Sequence, residues 1–187
     1  LAIQDLQLAA DILYPVFENS QGHDGFVSLE VAPRYAADTE ATVAQARHLW
    51  RRLDRPNAMI KVPATLAGLP AIERLVAEGI NVNVTLLFSV NRYEAVADAY
   101  IRGVAAAADP RRIASVASFF VSRVDTLLDP MLERMDDPRA KALQGKVAIA
   151  NAKVAYQRFK DIFFGNGPFA ALHGRGAQVQ RMLWGSK

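Results

Sequence analysis

Residues 58–88 run AMIKVPATLAGLPAIERLVAEGINVNVTLLF, and the fold is decided in this stretch. AMIKVP is a short apolar run of the kind a buried strand requires, and INVNVTLLF at 80–88 is a second, longer one. Between them a helix is expected from about Gly68 and Pro70 to Gly79, where glycine takes a left-handed cap without steric cost. Strand, helix and strand at this spacing make a right-handed βαβ unit with parallel strands. The pattern repeats on both sides. Upstream, residues 26–31 (FVSLEV) read as a strand, and Asp38 opens a helix whose stripe of Val43, Ala46, Trp50 and Leu53 runs until Pro56 stops it. Residues 1–17 form a helical face ahead of that strand, closed by Asn19-Ser20-Gln21-Gly22. Downstream, Ser89 caps a helix reaching Gly103, and residues 113–117 (IASVA) are a strand with helices behind it from about Val121 and Ala140. Residues 178–184 follow Gly174-Arg175-Gly176 as a last strand. The expected class is α/β, a (β/α)8 TIM barrel of which the chain supplies about five βα units.

Composition narrows the function classes. The 187 residues carry 22 Lys+Arg against 19 Asp+Glu, a net charge of +3, and no cysteine. Without cysteine there is no disulfide scaffold, thiolate nucleophile or Cys-ligated metal, and a cytoplasmic location fits. No stretch approaches the roughly eighteen uncharged apolar residues of a membrane helix, and the N-terminus has no basic leader with a cleavage site. Charges of both signs are interspersed, with no Lys/Arg run longer than Arg51-Arg52 or Arg111-Arg112, so neither nucleic acid nor membrane is an expected partner. No linker divides the chain. Residues 1–187 are expected to be a single β/α-barrel domain incomplete at both ends, since the chain opens inside a helix and stops at a strand's edge, and a full barrel takes about 250 residues.

The candidate site follows from where polarity interrupts apolar strands. A buried parallel strand should be almost wholly apolar, because each unpaired polar group there costs on the order of 1–3 kcal/mol. Glu30, Lys61, Asn83 and Thr85 break that rule, each toward the C-terminal part of its strand, and Ser118 lies just past IASVA. With a side-chain period of two, Ser28 shares a face with Glu30, and Asn83 with Thr85, so Ser28 is expected among the substrate-binding residues. Polar groups recurring at the C-terminal ends of consecutive parallel strands converge on one mouth, where a β/α barrel keeps its active site.

Lys61 is the sharpest single residue. Burial between Ile60 and Val62 would favour the neutral amine, a nucleophile for carbonyl carbon that yields a carbinolamine and then a Schiff base. The alternative is a lysine held in an ion pair with Glu30 or reaching to the rim. Glu30 correspondingly reads as counter-ion, or as holder of a water for proton transfer. Ser118 and Arg123, at a strand end and in the first turns of the next helix, suit a phosphate; equally, Ser118 is a cap and Arg123 a partner of Asp125. Phe120 sits close enough to Ser118 to help shape the pocket. His23, His48 and His173 are expected far apart and without ligand spacing, so neither a metal nor a catalytic triad is expected. The glycines form no phosphate loop, which disfavours a nucleotide site.

SLEVAPRYAADTEATVAQA, MIKVPAT, GINVNVTLLFS and ASFFVSRVD, in this order, together with AIANAKVAYQRF and VQRMLW further on, resemble the bacterial transaldolases over essentially the whole chain. The resemblance implies an eight-stranded β/α barrel of the pentose phosphate pathway. Such an enzyme moves a dihydroxyacetone unit from a ketose phosphate, sedoheptulose 7-phosphate or fructose 6-phosphate, to an aldose phosphate, without metal or cofactor. By the same resemblance Lys61 is the Schiff-base lysine, and Glu30 and Thr85 hold the catalytic water. Asn83 binds substrate hydroxyls, and Ser118 and Arg123 grip phosphate. Phe120 stands where the related fructose-6-phosphate aldolases usually have tyrosine, and Glu30 where they have glutamine, which favours the transferase. The family's acid/base aspartate and a substrate-binding asparagine would fall on strands preceding Leu1, and Lys187 stands near a further basic phosphate ligand. A fructose-6-phosphate-type class I aldolase, or a non-catalytic phosphosugar-binding fragment lacking the acid/base strand, is the runner-up. Association with further copies, or fusion to a sugar-phosphate isomerase, is left undecided by the sequence.

Overall fold

The computed structural model describes residues 2–185. Helix α1 (Ala2–Asn19) precedes strand β1 (Val27–Glu30), and alternation follows through α2 (Thr39–Leu53), β2 (Ala58–Pro63), α3 (Gly68–Ala77), β3 (Val82–Leu87), α4 (Val90–Ala106) and β4 (Ser115–Phe120). Helices α5 (Ser122–Glu133), α6 (Pro138–Lys141), α7 (Val147–Phe164) and α8 (Phe169–Gly174) then lead to β5 (Arg181–Gly185). Local chemistry sets the boundaries. The Asp38 carboxylate accepts from the Ala41 amide at 3.0 Å to open α2, and Ser89 Oγ accepts from the Arg92 amide at 3.3 Å to open α4. Gly79, at φ +80°, turns the chain out of α3, with the Ile80 amide returning to the Leu75 carbonyl.

The five strands form one all-parallel sheet in the order β1-β2-β3-β4-β5. Sequential order with crossovers of the usual right hand puts the connecting helices on one face, the arrangement of a barrel rather than of a doubly wound sheet. Side chains sort accordingly. Ala58, Ile60, Val62, Val82, Val84, Leu87, Ala117 and Phe119 are buried toward the helices in one core with Ile72, Leu75, Tyr93, Val96, Tyr100 and Val104. The opposite face holds a small apolar cluster of Met59, Ala114 and Val116, with Phe26 packed on it. Above that cluster this face turns polar.

Several boundaries differ from those expected. The fourth strand runs three residues further, to Phe120, because it pairs with β5 as far as Gly185, so Ser118 lies inside the strand rather than beyond it. The helix expected from Ala140 is a short turn of helix there and becomes regular only at Val147, after Gly145 at φ +66°. The last strand begins at Arg181 rather than 178, since the Gln178 carbonyl accepts from the Tyr100 hydroxyl at 2.6 Å instead of joining the sheet.

Two tyrosines of α4 test how this core is held. Both are fully buried, and desolvation pushes both phenols well above the ordinary range, but among the described residues Tyr100 has a hydrogen-bond partner and the Tyr93 hydroxyl has none. An unsatisfied buried hydroxyl costs about 1–3 kcal/mol, so Tyr93→Phe is expected to stabilise the fold by about 1 kcal/mol. Tyr100→Phe is expected to destabilise it by about as much. Both folded pKa values lie above the unfolded value of about 10, so stability is whole below pH 10 and declines above it as only the unfolded chain ionises. Urea unfolding of each variant at pH 7 and above pH 10 should show opposite shifts at neutral pH and, in both, a shallower alkaline decline.

Candidate active site

The register of the sheet draws the expected residues into one row. Glu30 on β1 is aligned with Lys61 on β2, and Lys61 with Asn83 on β3. Lys61 Nζ stands 3.6 Å from Glu30 Oε2, with side-chain exposures of 29% and 41%. Lys61 is therefore not sealed between its apolar neighbours, as expected from the sequence. It projects from the helix-free face, and of the two arrangements left open there the structure contains the ion pair.

Beneath this pair lies a hydrogen-bonded clasp. Asn83 Nδ2 donates to Ser28 Oγ at 3.1 Å, and Ser118 Oγ donates to Asn83 Oδ1 at 2.7 Å. Asn83 and Ser118 are buried, so the amide satisfies two strands' hydroxyls at once. Thr85, one turn of the pleat beyond Asn83 and aligned with Pro63, is also buried, and its hydroxyl has no partner among the described residues. A polar atom in that state retains its full capacity for a ligand or a water.

Arg123 lies in the first turn of α5 with its Cζ 5.0 Å from the centroid of the Phe120 ring. It makes no ion pair among the described residues, and the carboxylate once open to it, that of Asp125, instead accepts from the Ala148 amide at 3.0 Å. Among the described residues no hydrogen bond joins Ser118 to Arg123, and the Ser118 hydroxyl proton goes to Asn83. Lys187 lies outside the described residues. Two features were missed in the sequence. Phe88, whose ring is 5.5 Å from that of Phe120, joins this end of the sheet. His23 and His173, expected far apart, both line one groove of about 330 Å³ with Phe164 and Arg181, at the N-terminal ends of the strands. Among the described residues no three His, Asp or Glu side chains gather as a metal site. A cleft of about 490 Å³ at that same N-terminal end, lined by Phe26, Asn81, Arg111 and Arg112 among others, contains none of the residues expected to act.

Fold and site together define a singly wound parallel β/α sheet of the barrel kind, with amine, carboxylate, amide and hydroxyl groups gathered at the C-terminal ends of its strands. The chain belongs to the transaldolase/fructose-6-phosphate aldolase family, whose model matches residues 1–181. It is 54% identical over 186 residues to the transaldolase of Mycolicibacterium paratuberculosis, covering 97% of this chain and 50% of that one. The transaldolases of Thermobifida fusca and Mycobacterium leprae (strain TN) are 54% and 53% identical over the same length and coverage. The chain thus spans about half the length of the curated relatives it matches. No described helix is long and apolar enough to cross a membrane.

The clasp makes a stability prediction independent of chemistry. Asn83→Ala leaves the Ser118 hydroxyl without its acceptor and Ser28 without its donor, and is expected to cost about 2–3 kcal/mol. Ser28→Ala, which removes one bond at the partly buried end, should cost about 1 kcal/mol. Equal losses in urea titrations would show that Asn83 does not hold the two strands jointly.

Proposed function

We propose that the chain carries the Schiff-base centre of a transaldolase. The observation that supports this most strongly is the row Glu30–Lys61–Asn83 on the helix-free face, with Glu30 3.6 Å from the amine. Attack on a C2 ketone requires the neutral amine, and Glu30 is the base near enough to accept the ammonium proton. Lys61 Nζ then bonds to C2 as the ketone oxygen takes a proton, giving a carbinolamine. Loss of that oxygen as water leaves an iminium; here Glu30 and the unpartnered Thr85 hydroxyl hold the water that carries protons. The iminium accepts the electron pair released when C3–C4 breaks, so the aldose phosphate departs and a Lys61-bound enamine remains. Its nucleophilic carbon next attacks the acceptor aldehyde, and hydrolysis of the new iminium frees the amine. The proton leaving the C4 hydroxyl belongs, by family resemblance, to an aspartate on a strand that would precede Leu1. Asn83 binds substrate hydroxyls, Ser28 supports its amide, and Ser118 and Arg123 hold the phosphate beside Phe120. The substrates on this reading are a ketose phosphate and an aldose phosphate, and the compartment is the cytoplasm. Glu30 and Phe120 favour transfer over simple aldol cleavage on the resemblance described above, in which the aldolases carry glutamine and tyrosine at these places.

Schiff-base formation draws only on residues of this chain, so trapping tests the reading directly. Borohydride added with fructose 6-phosphate should attach one sugar-derived adduct per chain, located on Lys61 by peptide mass mapping and absent from Lys61→Met. Binding seen by calorimetry with no adduct would instead assign the chain to phosphosugar binding alone. Cleavage of fructose 6-phosphate without an acceptor aldehyde would assign the aldolase.

A further inference from the structure

Strand β3 does not alternate to its end. Val82 and Val84 face the helices and Asn83 and Thr85 the site, so strict alternation would send Leu87 toward the site and Phe88 toward the helices. The register shows otherwise. Val84 is aligned with Ala117 but Leu87 with Phe119, so β3 uses three residues where β4 uses two. The extra residue is Leu86, at φ +62° and 40% exposed. A leucine in the left-handed region is an unusual backbone state, and one extra residue in a strand reverses the facing of everything after it. Leu87 accordingly lies fully buried in the core with Val82 and Val84. Phe88 is turned to the site side, where its ring meets that of Phe120 at 5.5 Å and 31°.

Phe88 is 37% exposed, so core filling does not account for its place. Its backbone is pinned on both sides: its carbonyl accepts from Asn151 Nδ2 of α7 at 2.9 Å, and the next residue, Ser89, caps α4. The ring it supports, Phe120, carries the Arg123 guanidinium at 5.0 Å. A guanidinium laid on an aromatic face keeps its N–H edges directed outward, in the geometry that receives two oxygens of a phosphate monoester.

We propose that Phe88, delivered by the bulge at Leu86, is a positioning residue that holds Phe120 and through it aims Arg123 at the phosphate of the substrate. This rests on the transaldolase reading for the identity of the phosphate ester, and the contact itself is measurable without it. The variants are Phe88→Leu and Phe88→Tyr, with Arg123→Lys used to assign the Arg123 Nε–Hε resonance. In Phe88→Leu that resonance should move away from its ring-shielded position, and the dissociation constant for inorganic phosphate followed on it should rise about twofold to fivefold. The fructose 6-phosphate concentration giving half-maximal trapping on Lys61 should rise by the same factor, with the limiting rate kept and trapping by unphosphorylated fructose unaltered. Phe88→Tyr, which retains the ring, should restore all of these. The proposal is overturned if the wild-type Arg123 resonance does not respond to phosphate, if Phe88→Leu leaves its phosphate affinity unchanged, or if phosphorylated and unphosphorylated sugars are affected alike. Should no adduct form on Lys61 in any form of the chain, the transaldolase reading fails, while the phosphate titration still decides the role of Phe88.

Discussion

Ser28 and Asn83 belong to strands with a whole strand between them, yet their side chains hydrogen-bond at 3.1 Å. Neighbouring strands lie about 4.8 Å apart, so a flat sheet would hold these residues near twice that distance. The bond closes only because the sheet curls toward the face without helices, and Ser118 extends the same closure to β4. That curl brings groups from β1, β2, β3 and β4 to one mouth. It also explains why polarity is tolerated on this face. The inner side chains meet each other rather than a second helical layer, and those that are polar must find partners among themselves, a substrate or water.

The outer surface uses its charges differently. Arg47 pairs with Glu78 and Arg74 with Glu40 between α2 and α3 or its end, Arg102 with Glu73 between α3 and α4, and Arg158 with Glu94 between α7 and α4. Hydrogen bonds from these arginines hold the Glu40 and Glu78 carboxyls below the usual range. Such solvent-exposed pairs contribute little to stability, but they tie α2 to α3, α3 to α4 and α4 to α7 across the outer layer. Arg123 stands apart from them. It is laid on the Phe120 ring at the strand ends, with no ion pair to a carboxylate among the described residues.

Much of this was legible in the residues. The polar interruptions at Glu30, Lys61, Asn83 and Thr85 marked both the face and the end of the sheet, because a period of two and a parallel register leave few other ways to place them. Gly79, Asp38 and Ser89 act where their chemistry directed. What escaped the sequence was tertiary. Leu86 takes a left-handed conformation with no glycine to announce it, so the reversal of Phe88 had no local signal. Ser118 read as a strand end because a hydroxyl interrupts an apolar run, whereas it is an interior residue paired across the sheet. The openness of Lys61 and the groove shared by His23 and His173 depend on how separate segments approach, which side-chain patterning does not encode.

The proposed role of Lys61 is nucleophilic attack, from the curled face, on a ketose carbonyl. Its most direct measurement is a crystal structure of the chain after reduction with borohydride in the presence of fructose 6-phosphate. Continuous density is expected from Lys61 Nζ to the C2 carbon of the sugar, with its hydroxyls against Asn83. Sugar joined to another lysine, or bound elsewhere with the Lys61–Glu30 pair undisturbed, would contradict it.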